Sequence, residues 1–499
     1  MLNIFNSNEL KDVFAELEGH ENRIRKYFAY KQLDIYSGNQ DKYIYQKISQ
    51  LYGKDACDHI QAITSINLAT RIVNTEASIY KYPPMRTFAN ATEQMEAQLM
   101  QHYRSMYADE KLKTANRYFR LGNQCAVQVI PNGMGGLKTR VLYNHQYDVV
   151  PMSSDPDKAM MYIIPLQANK TDRQDFNNVS DNMNQTIADK NDADLAKNKY
   201  IIWTKDYNFM CNGLGQFLDP LTQQPRASMD EEIINPIGML PFIDVSGDKT
   251  LGFFNAGGNA ISDFTVTFGV ILSDLGEIVK LQGYSQPVIS SLEEPKSISV
   301  GPHRVLWLKK DKNEPGDKDP KFEFASPSPD LAGSLSFAEN TLRMFLTSRG
   351  TDSRLITSGQ TDQYASGFER LLAMVDRAEA TAEDKVLFQR VEGEYFDLVK
   401  TWTNYLFTTT DGLDEANKIA IIGDDIELAV KFHEPSQVMT QAEKEDSVQK
   451  RLEMGLLSRR DAFKELYGVE DDKADEMLKE IDQEMQIPVE EVHVGEPIA

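Results

Sequence analysis

Cysteine is scarce in this 499-residue chain. Its three cysteines, Cys57, Cys125 and Cys211, stand far apart, with no CxxC pair and no histidine at ligand spacing beside them. That excludes a disulfide framework and a thiolate metal site, and the three read as structural thiols of a reducing compartment. Long apolar runs are missing too. The closest, Ala260 to Tyr284, is interrupted by Asp263, Asp274, Glu277 and Lys280, so it reads as a helix packed by protein and no membrane partner is expected. The opening residues, MLNIFNSNELKDVFAELEGHENR, carry early charges and no apolar core, unlike a secretory signal. Positive charge is in deficit: 53 Lys and Arg against 76 Asp and Glu leave a net charge of -23. Proteins that grip DNA through many phosphates usually carry a basic footprint, which this chain lacks.

Catalytic signatures are equally thin. No HExxH, GxSxG, Walker A loop or GxGxxG ahead of a helix occurs, and the seven histidines are scattered. Asp424-Asp425 and Asp471-Asp472 are paired acids, but with 76 acidic residues such neighbours are ordinary and solvated. Gly257-Gly258 precedes a helix and reads as a turn. No catalytic residue, metal ligand or cofactor is assigned, and the chain is expected not to be an enzyme.

What is present is a chain too long for one hydrophobic core, with 41% hydrophobic residues, so two to four subdomains of mixed α+β structure are expected. Apolar spacing predicts helices over Leu10–Leu17, Arg23–Tyr36, Ile63–Tyr80 (ended by Pro83-Pro84) and Thr92–Leu121. The second mixes Arg and Lys with Tyr and Phe, a composition that either stacks on nucleic acid or buries its rings in an amphipathic helix. Alternation predicts a hairpin, Cys125–Ile130 and Leu137–Leu142, around Asn132-Gly133 and Gly135-Gly136. Further strands are expected at Tyr147–Pro151, Met160–Leu166, Tyr200–Trp203 and Ile426–Phe432, with an extended buried segment at Pro236–Val245. Residues 167–198 are dense in Asn, Asp, Gln and Lys and read as an exposed insertion.

The stretch from Asp330 to Phe407 organises the rest. Leu335, Ala338, Leu342 and Phe345 line one helix face. Residues 349–367 lose all apolar period and carry Gly350, Gly359 and Gly367 among Ser, Thr and Asp, a loop by chemistry. From Phe368 the helical period resumes for about forty residues, a rod on the order of 60 Å. Before this stretch, Pro287–Phe324 reads as a small β-rich excursion between two helices, with Lys309, Lys310 and Lys312 adding positive charge. Near the end, Thr440 to Glu443 is a capping box, Gly455 stops that helix, Ser458 with Asp461 caps the next, Gly468 stops it, and a third opens at Asp471.

This order resembles the portal proteins of tailed bacteriophages, the head-to-tail connectors. The resemblance spans nearly the whole chain and rests on ENRIRKYFAYKQLDIYSG, on INLATRIVNTEASIYKYPP, and on the helix before the β excursion. Most specific are YASGFERLLAMVDRAEATAEDKVLF, opened by Ser366-Gly367, and EKEDSVQKRLEMGLLSRRDAFKELYGVEDDKADEMLKEIDQEM. The resemblance implies a wing over 1–255, a stem helix over 256–285, a clip over 286–328, a second stem helix over 329–348 and a tunnel loop over 349–367. A long helix returning to the wing (368–435) and a helical crown with an acidic tail (436–499) would follow.

It further implies a homo-oligomer, usually a dodecamer, at one capsid vertex of the virion, assembled in the host cytoplasm. Double-stranded DNA would pass through the channel without sequence specificity during packaging and ejection. Terminase, major capsid and scaffolding proteins, and head-completion or adaptor proteins would be its partners. Arg349, Asp352, Arg354, Thr357, Gln360, Asp362 and Gln363 of the tunnel loop would face the DNA, and Arg304, Lys309, Lys310 and Lys312 of the clip would dock partners. An acidic ring suits this task, because repulsion of phosphates lets DNA slide without a salt-dependent grip. The alternatives are a nucleic-acid-processing enzyme with a dispersed carboxylate site and a monomeric binding module built on Arg23–Tyr36.

Overall fold

A computed structural model describes residues 6–17, 19–53, 63–133, 135–166, 196–226, 233–247, 253–254, 260–282, 286–291, 306–309, 321–325, 331–351, 367–409, 421–433, 441–454, 457–467 and 478–479. The chain divides into two compact units, Met1–Glu434 and Pro435–Ala499, and mixes helix with sheet as an α+β protein.

The first unit opens with α1 (Ser7–Leu17), α2 (His20–Tyr36), α3 (Asp41–Tyr52) and α4 (Leu68–Glu76). The sequence reading leaves α3 unassigned, and it places one helix over Ile63–Tyr80 where the structure has a shorter one. Asn67 explains the late start: its side chain accepts the Thr70 N–H at 3.0 Å, so the helix is capped there. After Glu76 the chain leaves the α-helix and makes a separate 3₁₀ turn at Ile79–Lys81. The helix expected over Thr92–Leu121 is two, α5 (Glu93–Ser105) and α6 (Ala108–Gly122). Tyr107 breaks them apart with a left-handed backbone, φ 53°, a conformation no α-helix can run through.

The hairpin β2 (Gln124–Pro131) and β3 (Leu137–Tyr143) forms in antiparallel register, Val127 opposite Val141. Its turn closes where Asn132 N–H donates to the Gly136 carbonyl at 2.8 Å. β9 (Phe242–Ser246) joins the other edge of β2. A five-stranded antiparallel sheet follows the order β4 (Asp148–Met152), β5 (Asp155–Pro165), β6 (Lys199–Thr204), β7 (Asn208–Asn212), β8 (Phe217–Leu218). Strand β1 (Met85–Ala89), unassigned from sequence, pairs with β13 (Glu427–Lys431), Thr87 opposite Ala429.

The apolar run forms α7 (Ala260–Gln282), and the helix before the glycine-rich loop forms α8 (Leu331–Ser348). Between them β10 (Gln286–Ser291) pairs parallel with β11 (Leu306–Lys309) and antiparallel with β12 (Lys321–Ala325). Residues 292–305 and 310–320 of the expected β-rich excursion lie outside the described residues. The rod is α9 (Gly367–Thr409), 43 residues or about 65 Å at the α-helical rise. The second unit contains α10 (Gln441–Glu453) and α11 (Arg459–Tyr467). Ser458 caps α11 as expected, accepting the Asp461 N–H at 3.1 Å. Thr440, Gly455, Gly468 and the helix expected from Asp471 lie outside the description, save for one helical pair of residues at 478–479.

Among the described residues three apolar cores position these elements. One wraps β2, β3 and β9 with α5, α6 and the latter part of α9, which contributes Phe388, Val391, Tyr395 and Trp402. A second joins α2, α3 and α4 to α7 and α8. The third seats α1, through Leu10 and Phe14, on Met161, Ile163, Ile202 and Phe209.

Candidate functional site: the α7–α8 helical pair and its anchored end

Helices α7 and α8 run antiparallel. Phe264 near the start of α7 stacks on Phe345 near the end of α8, ring centroids 3.8 Å apart and planes 1° off parallel. Toward the other end Leu275 and Ile278 lie against Gly333 and Phe337 across a groove of about 490 Å³. Helix α7 tolerates buried Thr265 and Ser273 because each hydroxyl donates to a carbonyl one turn back, Ile261 and Gly269, both at 2.8 Å. It crosses α3 at Gly269, where a Cβ would stand 2.3 Å from Ile44 Cδ1. Only glycine permits that approach.

The burial of α8 is one-sided. Ala338, Leu342 and Leu346, four residues apart, are buried in the core, whereas Leu335, Phe337 and Met344 are 53%, 62% and 74% exposed. Leu335 shares the helix face of Ala338 and Leu342, as expected, yet is exposed. A helix showing large apolar side chains away from its own core presents an interaction face.

The C-terminal end of α8 is tied down. Gly350 adopts φ 65°, and the Thr351 N–H reaches back to the Leu346 carbonyl at 2.9 Å, an αL helix stop. Arg349 then donates from Nε and Nη2 to the two carboxylate oxygens of Glu76, each at 2.8 Å, and the Thr351 hydroxyl joins Glu76 Oε1 at 3.2 Å. Nearby, buried Asp384 of α9 pairs with Arg120. Burial pushes the Asp384 carboxyl above its usual range; Arg120 lowers it, while Glu76 and Glu383 add to the rise. Arg349 at the start of the expected tunnel loop is therefore engaged within its own chain. Asp352, Arg354, Thr357, Gln360, Asp362 and Gln363 lie outside the described residues. So do Arg304, Lys310 and Lys312 of the expected clip; Lys309 ends β11, opposite Ser291.

Three cations of the basic and aromatic helix α2, Arg25, Lys26 and Lys31, face acids of their own chain. Arg25 and Lys26 both pair with Asp148, at 2.6 and 2.5 Å, and Arg25 lies 3.7 Å from the Phe254 ring centroid. Burial lowers the Arg25 pKa, Asp148 opposing it. Burial, then Arg25 and Lys26, push His145 down to about 4. Lys31 pairs with Asp263 at 2.9 Å.

Asp424, singled out as half of an acid pair, is fully exposed and 3.3 Å from Lys400. Among the described residues no three His, Cys, Asp or Glu side chains gather as a metal site, and no helix is long and apolar enough to cross a membrane.

Sequence reasoning missed the buried cluster of Arg86. Its Nε and Nη2 donate to Glu392 at 2.9 and 2.7 Å, its Nη1 meets Asp109 at 2.8 Å, and Tyr80 donates to Glu392 at 3.0 Å. Burial works against the Arg86 charge, but Glu392 and Asp109 outweigh it and hold the guanidinium above its ordinary pKa. The cluster clamps β1 onto α9. No local spacing could announce a pair separated by 306 positions.

A scan against protein-family models finds none that matches this chain, and a search of curated proteins finds no match.

Proposed function

We propose that this chain is the subunit of a ring-shaped portal of a tailed bacteriophage, a non-enzymatic channel through which double-stranded DNA is packaged and ejected. The observation that carries the reading is the antiparallel α7–α8 pair, which leads out to a small three-stranded sheet and back while Leu335, Phe337 and Met344 remain uncovered. Copies of the same pair in a closed ring would cover those side chains, as apolar surface demands. The loop after Arg349 would line the channel, the sheet between the helices would meet terminase and then adaptor proteins, and the excess acidity would keep DNA moving.

The test is mass in solution together with negative-stain imaging of the same sample. A particle on the order of a dozen times 56.6 kDa with a central hole is expected. Phe337→Asp combined with Met344→Asp should reduce it to smaller species with unchanged helix content. A wild-type protein that stays monomeric and shows divalent-metal-dependent nuclease activity, abolished by Asp424→Asn and Asp425→Asn, would replace the channel reading with the enzymatic one.

A further inference from the structure

Two Asn-Gly pairs occur in the chain, Asn132-Gly133 and Asn212-Gly213. Their reactivity is intrinsic. An asparagine loses its side-chain amide when the backbone nitrogen of the next residue attacks Cγ, and glycine, with no Cβ to shield that nitrogen and the widest choice of φ and ψ, hinders the attack least. Folding decides which pair can reach the geometry.

Asn132-Gly133 lies in the turn of the β2–β3 hairpin. Both residues are exposed, Gly133 adopts φ 78°, and a Cβ built on it would meet nothing within 4 Å. Gly135, at φ 81°, and Gly136 follow, so the turn resists rearrangement weakly. Among the described residues no backbone carbonyl accepts the Gly133 N–H. Asn132 Oδ1 accepts the Gly136 N–H at 3.1 Å, and that donor faces the oxygen on which negative charge gathers when Cγ becomes tetrahedral.

Asn212-Gly213, at the end of β7, holds the same pair under opposite conditions. Asn212 is 3% exposed and Gly213 is buried. The Gly213 N–H, which would supply the nucleophile, donates to the Asn198 carbonyl at 3.0 Å, and Asn212 Nδ2, which would leave, donates to Gln216 Oε1 at 3.0 Å. Asn212 Oδ1 accepts N–H groups from Leu214 and Gln216, at 3.1 and 3.0 Å, so a polarised side-chain carbonyl is common to both sites. What separates them is the nucleophile and its room to move.

We propose that Asn132 is a site of spontaneous covalent modification, at which the chain converts its own side-chain amide into a carboxylate with water as the co-reactant. The Gly133 nitrogen gives its proton to hydroxide and bonds to Asn132 Cγ; the Cγ–Nδ2 bond breaks, ammonia leaves with a proton from water, and a succinimide closes. Water then opens the ring. Cleavage between the Gly133 nitrogen and Cγ gives aspartate, whereas cleavage between that nitrogen and the main-chain carbonyl carbon gives isoaspartate, whose backbone runs through Cβ and Cγ. Nothing is oxidised or reduced. Aspartate keeps an acceptor for the Gly136 N–H; isoaspartate adds a carbon to the main chain of a turn that closes through the Asn132 N–H and the Gly136 carbonyl at 2.8 Å. Either product adds negative charge to a chain already at -23. The inference needs neither a ring nor DNA, so failure of the portal reading leaves it in place.

The test is peptide mapping by mass spectrometry of the full-length protein, aged for weeks at mildly alkaline pH, where the amide proton is lost more readily. Trypsin releases Leu121–Lys138 and Asp206–Arg226, with one Asn-Gly pair in each. Deamidation localised by fragmentation to position 132 is expected, faster at higher pH, with isoaspartate detected there by enzymatic carboxyl methylation. In the folded protein Asn212 should lag by about tenfold or more, because its Cγ is reached only through local opening. In urea the two should react at similar rates. An Asn132 that stays intact in the folded protein, or that reacts no faster there than Asn212, would overturn the proposal.

Discussion

Arg349 and Glu76, 273 positions apart, meet through two parallel hydrogen bonds of 2.8 Å each, so the end of α8 is fastened to the end of α4. The two-point geometry aligns both guanidinium donors with both carboxylate oxygens, which makes the pair stronger than a single contact.

Glu76→Gln keeps the shape and removes the charge, and it should destabilise the protein by about 1–3 kcal/mol, read by urea unfolding. Arg349→Lys, which loses the fork, should cost a similar amount. A double-mutant cycle in which the two losses simply add would show that the residues are neighbours without being coupled.

The Arg86–Glu392 pair should matter more, because both side chains are buried. Arg86→Leu leaves the buried Glu392 charge uncompensated beside Tyr80 and should cost about 3–5 kcal/mol; Glu392→Gln, in which Asp109 still faces Arg86 at 2.8 Å, should cost less. The exposed Arg390–Glu394 pair, one turn along α9, should change stability by about 0.5 kcal/mol or less when broken. Equal thermal shifts for the two pairs would refute the assignment of Arg86 as the clamp of β1.

His145 makes stability depend on pH. Its pKa falls from an ordinary value near 6.5 to about 4, so between those values the unfolded chain holds a proton that the folded chain refuses. The stabilisation is fully present above pH 6.5 and is lost as pH falls toward 4, a change on the order of 3 kcal/mol. In His145→Gln the unfolding free energy should fall less steeply across that window than in the wild type. Parallel profiles would mean that His145 titrates alike in both states.

Two helical glycines should respond oppositely to alanine. At Gly269 the new methyl meets Ile44, buried between α3 and α7, and stability should drop by about 1–3 kcal/mol. At Gly393 nothing lies within 4 Å of the added Cβ, so Gly393→Ala should stabilise α9 by about 0.5–1 kcal/mol. Differential scanning calorimetry of both variants decides; melting shifts of the same sign would contradict the crossing at Gly269.

By itself the sequence determined the elements whose information is local. The period of α9, the apolar run of α7, the β2–β3 hairpin and the cap at Ser458 each lie within one stretch of chain, where spacing and capping chemistry suffice. Tertiary structure alone decided which distant pieces meet. Strand β1 exists because β13, more than three hundred positions later, supplies its ladder, and Glu76 and Glu392 gain their roles only from Arg349 and Arg86. The break at Tyr107 belongs with these, since α5 and α6 must turn against a shared core before either can pack. Leu335 fits the apolar stripe of α8 and still ends exposed: periodicity names the members of a face, but neighbouring elements settle which of them are covered. A groove beneath Val386 draws its walls from α9, β5 and β9, and no single segment encodes a surface made of three.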